Sequence, residues 1–295
     1  MIGLMAMALA VAGPLEKCEL PSGWEEVDKR RTAYVVFGEV HGTAEAPALV
    51  GDVACGLAFR GDRLLVAIEQ QASDDAALQA AWALPDERFA AALVRTGWAG
   101  RKDGVASRAM FELLVRLHRL RTGGRPIDVV AFNGARDPAQ AARFAALPGQ
   151  GPHEAEQAEN IRLADSGRHD DVLVLTGNLH ARKQPVTRGG VTFEPMAMRL
   201  AAAGAVTTLN MADAGGTMWN CLMKPGVEVP AGQGIPKDAI ECGAHPTRGS
   251  ADLSRPAYIG LGAAPGENRD PAFDGFLWVG RTTASPPAVT TPPGR

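Results

Sequence analysis

The stretch that decides the fold is residues 34–43, YVVFGEVHGT. It starts within a short apolar run, Ala33–Phe37, and passes directly into a polar turn that carries Glu39 and His41. A run rich in valine, without alternating polar positions, predicts a strand that is buried on both faces. The flanking glycines allow a tight backbone, so the turn can expose a carboxylate and an imidazole where the strand ends.

Further apolar runs of the same kind alternate with helical patterns along residues 30–210. The predicted strands are Ala33–Phe37, Leu64–Ile68, Ile127–Phe132, Val172–Thr176 and Val206–Leu209, and the predicted helices are Ala46–Phe59, Asp74–Arg95, Ser107–Arg121, Pro138–Ala145, His153–Ala164 and Pro195–Ala203. This alternation predicts an α/β domain with a mostly parallel central sheet flanked by helices. In such sheets ligands bind at the carboxyl ends of the strands.

Two more of the predicted strands end in polar residues. Glu69 follows the second strand, and the sequence TGNLH, which ends at His180, follows the fourth. A charged residue at the end of a buried strand needs a partner or a solvated cleft. We therefore expect Glu39, His41, Glu69 and His180 to converge on one polar site and to form the catalytic group.

Taken together, these motifs resemble the erythromycin esterase / ChaN-like / Tiki superfamily, which shares a pair of Gly-x-x-His motifs. The resemblance rests on the motif GEVHGT, on Glu69 at the end of a strand and on the motif GNLH. Residues 152–161, PHEAEQAENI, are also similar to a helix motif of that superfamily, with His153 where Arg is usual and Gln157 where Met is usual. The resemblance covers roughly residues 30–210.

The resemblance implies three kinds of chemistry at this site. In the esterase branch the histidine of the first motif is proposed as a general base toward water, in the Tiki branch the motifs are associated with a divalent metal, and in the ChaN branch the fold binds haem. We therefore expect a hydrolase of the esterase/Tiki type that acts on an ester, a lactone or a peptide. The alternatives are a ChaN-like haem- or metal-binding uptake protein and a member that keeps the fold without catalysis.

The possible cofactors follow from the same residues. His41, His180 and Glu69 are ligand types that hold Zn or Mn and acidify a bound water. Tyrosine is a haem ligand in several families, and the chain has only Tyr34, inside the first strand, and Tyr258. This scarcity weakens the haem alternative.

Four residues are candidates for substrate binding: His153, Glu154, Asn178 and Arg136. A histidine cannot clamp a carboxylate or phosphate as a bidentate arginine does, so His153 in place of arginine matters for the substrate. Arg136 could line the rim of the cleft, although Asp137 beside it is also a plain helix N-cap before Pro138. The chain has no G-x-S-x-G motif, which disfavours a serine hydrolase.

The N-terminus and the cysteines point to an exported protein. The net charge of −3 creates no field that would attract nucleic acid. Residues 1–12 end in A-x-A and resemble a signal peptide, which predicts a periplasmic or secreted protein without a stable membrane anchor. Four cysteines suit two disulfides, Cys221–Cys242 and Cys18–Cys55, although Cys55 could equally be a buried free thiol.

The C-terminal third has a different character. Residues 215–280 are rich in Gly and Pro, and we expect an irregular β-rich extension that is stapled to the main domain by a disulfide. Residues 281–295 are rich in Pro and Thr, a composition that predicts a disordered tail. A small molecule or a peptide is the expected partner of the protein.

Overall fold

The computed structural model describes residues 18–224, 226–227, 236 and 239–289. The predicted signal peptide, residues 1–12, lies outside this part of the chain. Within it, no helix is long and apolar enough to cross a membrane.

A seven-stranded sheet forms the centre of the molecule. Its order is β10-β11-β7-β1-β4-β2-β3, and all neighbours are parallel except β10 and β11. The strands, including two separate hairpins β5–β6 and β8–β9, are β1 (Tyr34–Glu39), β2 (Leu64–Gln71), β3 (Ile127–Asn133), β4 (Asp171–Gly177), β5 (Val186–Arg188), β6 (Val191–Phe193), β7 (Val206–Ala212), β8 (Gly216–Met223), β9 (Ile240–Thr247), β10 (Tyr258–Leu261) and β11 (Gly275–Trp278). The predicted fold class, a mostly parallel sheet flanked by helices, is confirmed.

The helices follow the predicted order with one break. They are α1 (Trp24–Asp28), α2 (Glu45–Arg60), α3 (Asp75–Trp82), α4 (Asp86–Leu93), α5 (Arg108–Thr122), α6 (Pro138–Phe144), α7 (Gly151–Asp165) and α8 (Met196–Ala201), with short 3-10 helices at Ala72–Asp74 and Gly104–Ala106. The single helix predicted over Asp74–Arg95 is two helices, because Pro85 has an extended backbone, with ψ of 155°. Proline also disfavours a helical conformation at the residue before it.

Strands β1, β2, β3, β4 and β7 contribute side chains to two separate cores. Val35 and Phe37 belong to the core on the side of α2 and α5, whereas Val36 belongs to the core that α7 and α8 cover. Val174 of β4 lies in this second core, and its neighbours Leu173 and Leu175 lie in the first. Both faces of the sheet are therefore buried, which explains why the strand sequences lack polar alternation.

The C-terminal third is joined to the main domain more closely than expected. Strand β11 pairs with β7 and carries β10 at the edge of the central sheet. Residues 281–289 also differ from the predicted disorder. The N–H of Ser285 donates to the carbonyl of Gly42 over 2.7 Å, and the N–H of Ala44 donates to the carbonyl of Thr283 over 3.0 Å. These bonds satisfy backbone groups of the Pro/Thr-rich segment, which its composition alone could not show.

Both expected disulfides are present. Cys18 is bonded to Cys55, so Cys55 is not the free thiol that we considered, and Cys221 is bonded to Cys242. The Cα atoms of the second pair are 3.9 Å apart, less than the ~4.4–6.8 Å usual for disulfides. The two residues lie directly opposite each other in the antiparallel pair β8–β9, which brings their backbones close together.

The Cys221–Cys242 bridge should stabilise the folded protein. The cysteines are 21 residues apart, and a loop of that length corresponds to about 3 kcal/mol in the chain-entropy model. We expect the double variant Cys221→Ser/Cys242→Ser to lower the free energy of unfolding by about that amount in urea denaturation. Adding a reductant should produce a further loss in this variant, from Cys18–Cys55. An unchanged unfolding midpoint in the double variant would contradict the bridge's contribution.

Candidate functional site

The site is built where three adjacent strands end. Strand β4 lies between β1 and β2, and the register pairs Glu39 of β1 with Gly177 of β4. Because the strands are parallel, their carboxyl ends meet at one edge of the sheet. This edge brings together the residues after β1, the end of β2 and the turn after β4.

Glu69 is the central residue of the site. Its side chain is buried, and Oε2 accepts hydrogen bonds from the hydroxyl of Thr176 and the N–H of Gly177, both over 2.7 Å. Nε2 of His41 lies 3.4 Å from Oε2, and Nε2 of His180 lies 3.6 Å from Oε1. Burial alone would raise the pKa of the Glu69 carboxyl, but the two imidazoles and the hydrogen bonds outweigh it and hold that pKa well below its ordinary value.

Two more glutamates hold the outer nitrogens of the imidazoles. Nδ1 of His41 lies 2.9 Å from Oε1 of Glu39, and Nδ1 of His180 lies 2.7 Å from Oε1 of Glu154. The five side chains Glu39, His41, Glu69, His180 and Glu154 therefore alternate carboxylate and imidazole, and we call them the five-residue chain. A carboxylate on Nδ1 fixes the tautomer and the orientation of each ring.

Both histidines of the chain hold a proton more tightly than a free histidine. Burial on its own would lower the pKa of His41, but attraction by Glu69 and the hydrogen bond to Glu39 raise it well above the ordinary value. For His180 the hydrogen bond to Glu154 and attraction by Glu69 likewise outweigh burial and raise the pKa. The two imidazoles therefore have raised pKa values next to three buried carboxylates.

The turn that carries His41 is held by distant parts of the chain. Gly42 has φ of +81°, and an added Cβ would lie 2.0 Å from the carbonyl oxygen of Trp219, so only glycine fits here. The carbonyl of Gly42 accepts the N–H of Trp219 over 2.9 Å as well as that of Ser285. Gly104 lies against the same turn, since a Cβ on it would be 2.6 Å from the N of Gly42.

A third histidine lies beside the five-residue chain. The ring centroids of His153 and His180 are 5.7 Å apart. Burial and the charge of His180 lower the pKa of His153, in contrast to the other two histidines. Gln157, one turn further along α7, is fully buried and bridges His153 to Asn133 at the end of β3.

The structure brings most of the predicted residues together, but not all in the predicted manner. Glu154, expected to bind substrate, is fully buried and instead holds His180 and accepts the N–H of Met196 over 2.8 Å. The guanidinium of Arg136 is near Asp137 and Glu159, and its part in substrate binding stays a prediction. Asp137 caps α6, as the alternative interpretation had it. Asn178 is exposed in the turn after β4, where its N–H donates to the carbonyl of Glu39.

Sequence reasoning missed Thr176, Asn133 and the role of Gln157. Thr176 had a detectable signal, since it is a hydroxyl residue directly before the glycine of the second motif. The signal for Gln157 was its spacing of four residues from His153, which places both on one face of a helix. Asn133 gave no comparable signal, because its partner lies on another element.

The described residues show no ready-made set of metal ligands. In the part of the chain that the structure describes, no three His, Cys, Asp or Glu side chains are arranged to hold a metal ion. His41, His180 and Glu69 do meet, but as ion pairs, with Oε2 of Glu69 already accepting two hydrogen bonds. Tyr34 is buried at the opposite end of β1, and Arg255 covers the ring of Tyr258, so neither offers a haem ligand here.

Comparison with solved structures identifies the fold. A variant of the erythromycin esterase EreC in its open conformation matches with a TM-score of 0.57 at 13% identity, over 88% of this chain and 94% of that one. The chain has the erythromycin esterase fold. A succinoglycan biosynthesis protein matches with a TM-score of 0.59 at 10% identity, over 89% of this chain and 91% of that one. A Bacillus cereus protein matches with a TM-score of 0.58 at 10% identity, over 87% of this chain and 90% of that one.

At these identities the likeness shows the fold alone. No family model matches the sequence, and no curated protein matches it significantly. The resemblance that the motifs suggested is therefore confirmed at the level of the fold, and the chemistry has to be argued from the site itself.

The position of His41 depends on the missing side chain of Gly177. A Cβ on Gly177 would lie 2.7 Å from Nε2 of His41, closer than real contacts allow. We expect Gly177→Ala to push the imidazole away from Glu69, so that the pKa of His41 falls toward its ordinary value in an NMR titration of the histidine side chains. Gly204→Ala is the matched control, because its Cβ would be in ordinary contact at 3.4 Å. A His41 titration that is the same in both variants would disprove this dependence.

Proposed function

We propose that the protein is a hydrolase of an ester, a lactone or a peptide, with His41 as general base and His180 as general acid. The observation that carries this proposal is the five-residue chain at the carboxyl edge of the sheet. It holds two imidazoles in fixed orientations, and each faces the same carboxylate through Nε2. General acid–base catalysis uses paired titratable groups of this kind in one polar site. The fold of EreC supports the same reaction class, and it does so as an analogy only.

His41 is assigned as the base because of its access to solvent, since carboxylates on Nδ1 give both histidines the same tautomer. Neutral His41 keeps its proton on Nδ1, where Glu39 accepts it, so Nε2 is the basic nitrogen. The side chain of His41 is 29% exposed and that of His180 is 16% exposed, so water reaches His41 more easily. Glu39 also stabilises the imidazolium that forms when Nε2 takes a proton.

The reaction then runs through one water molecule. Nε2 of His41 takes a proton as the water oxygen bonds to the carbonyl carbon, and the carbonyl oxygen becomes an oxyanion. Protonated His180 stabilises that negative charge. When the tetrahedral carbon expels the alcohol or amine, protonated His180 gives the leaving group its proton, and the acid product remains. His41 still holds the proton taken from water, and the pair regains its starting state when that proton passes from His41 to His180. Glu69 stays ionised throughout and compensates the positive charge on the imidazole pair.

The pH dependence follows from the shared carboxylate. Because Glu69 lies between the two imidazoles, they titrate as a pair. In the active form one ring is neutral and the other carries an additional proton and a positive charge. The pKa values of both are raised, so the fully protonated, inactive form persists above the usual histidine range. We expect a bell-shaped profile of kcat/KM whose two apparent pKa values both lie above 6.5, the ordinary value for histidine. Full activity at pH 5 would contradict the assignment.

Removal of the base should abolish most of the hydrolysis. We expect His41→Ala to lower kcat/KM by about 10²–10⁴-fold, the usual contribution of a general base, with an unchanged far-UV circular dichroism spectrum. The substrates would be a p-nitrophenyl ester, a macrolactone and a peptide, each with and without Mn²⁺ or Zn²⁺. His169→Gln, at the amino-terminal edge of the sheet, is the control. Equal rates for wild type and His41→Ala would refute the base, whereas an inert wild type that binds haem tightly would favour the uptake alternative.

We also propose that the protein acts in an oxidising compartment, either the periplasm or outside the cell. Two disulfides support this, because such bonds persist where thiols are not kept reduced. A small-molecule or peptide substrate fits a site of this kind, in which the polar groups are few and fixed.

A further inference from the structure

Helix α7 carries a polar pair that the proposed reaction does not use. His153 and Gln157 are one turn apart on the same face, beside the end of β3. The amide nitrogen of Gln157 lies 2.9 Å from Oδ1 of Asn133 and 3.0 Å from Nε2 of His153. Gln157 is fully buried, so its amide has a fixed environment.

This contact favours one tautomer of His153. An amide NH₂ group can only donate, and it has two N–H bonds. In the amide orientation of the structure, one of them points to Oδ1 of Asn133 and the other to Nε2 of His153, which is then the acceptor, while the buried Oε1 of Gln157 has no hydrogen-bond partner among the described residues. A neutral imidazole that accepts through Nε2 carries its proton on Nδ1.

The surroundings of His153 keep the ring neutral and leave Nδ1 accessible. The charged groups that face it are His180, Glu154 and Glu69, and burial together with His180 outweighs the two carboxylates and lowers the pKa of His153. The ring is partly exposed. Gly134, with φ of +73°, presents no side chain to it, and even an added Cβ would be 3.7 Å from Nδ1.

We propose that Gln157 fixes His153 as an uncharged Nδ1–H donor, and that this donor selects substrates with an uncharged oxygen beside the bond that is cleaved. Such an oxygen belongs to a carbonyl, a hydroxyl or an ether, in contrast to a carboxylate or a phosphate. The selection of substrate rests on the proposed hydrolase function. In this assignment Gln157 is a positioning residue, because it acts through His153.

The charges around the site favour the same class of substrate. The five-residue chain has three carboxylates against two imidazoles, so it does not attract an anion. The basic side chains that follow His180 or approach β2 are already paired with carboxylates, namely Arg182 with Asp270, Lys183 with Asp274 and Arg101 with Asp103. A substrate carboxylate would have to compete with these partners.

The tautomer can be tested without any substrate. Long-range ¹H–¹⁵N NMR spectra of the side chains should show His153 of the wild type as the neutral Nδ1–H tautomer at pH 7. In Gln157→Glu the new carboxylate accepts a hydrogen bond from Nε2–H. The spectrum should therefore show Nε2 as the protonated nitrogen, and the pKa of His153 should rise. Gln157→Met, which removes the donor without adding charge, should give a mixture of tautomers. A wild-type His153 protonated on Nε2 would overturn the proposal.

Selectivity is tested with a pair of matched probes. We expect the wild type to hydrolyse p-nitrophenyl 4-oxopentanoate, which carries a ketone oxygen where mono-p-nitrophenyl succinate carries its carboxylate, with a kcat/KM roughly 10-fold above that of the succinate, the effect of about one hydrogen bond. His153→Arg should reverse that preference, and an unchanged preference would overturn the selection.

Binding of uncleaved probes separates this proposal from the hydrolase itself. The ketone 4-oxo-N-phenylpentanamide, which matches succinanilic acid except that a ketone replaces the carboxylate, should shift the His153 signals at concentrations where succinanilic acid does not, even if the protein hydrolyses neither ester. That result would count against the proposed function while supporting the donor. Equal shifts with both anilides, or none with either, would overturn the role of His153.

Discussion

The arrangement of the site depends on the burial of one carboxylate. Glu69 is almost completely removed from solvent, and an ionised carboxylate in such a place costs several kcal/mol unless it is paired and hydrogen-bonded. Thr176 and Gly177 supply two hydrogen bonds, and the two imidazoles supply positive charge. The requirement to compensate Glu69 is therefore what draws His41 and His180 to the same point and raises the pKa of each.

The strand order makes this compensation possible. Strand β4 separates β1 from β2, so Glu69 reaches across the end of β4, and His41 reaches the same place from the other side. Gly177, at the end of β4, has no side chain to obstruct them, and its N–H is directed to Glu69. A side chain at this position would separate the imidazole of His41 from the carboxylate, which is why a glycine of the second motif matters to the histidine of the first.

Local patterns in the sequence were sufficient for the fold and for the identity of the polar residues, but not for their pairing. The buried strands and the four catalytic candidates could be predicted because hydrophobic runs and strand ends are local features. The role of each glutamate could not be predicted, because it depends on which carboxylate faces which imidazole nitrogen. Glu154 and Arg136 show this: one holds a histidine from within the core, and the other is drawn to Asp137 and Glu159.

The C-terminal third shows the same limit, and it also explains why the His41 turn is well defined. Its composition predicted an appended extension and a disordered tail, whereas Trp219 and Ser285 both donate to the carbonyl of Gly42. Contacts between residues so far apart in the chain leave no local trace in the sequence. A base on a loop loses efficiency if its ring samples many orientations, because catalysis requires groups that are already placed before the reaction. With Glu39 on its Nδ1 and two distant segments on the adjacent carbonyl, His41 is restrained at both the ring and the backbone. The C-terminal segments therefore belong to the architecture of the candidate site as much as the strand that carries the histidine.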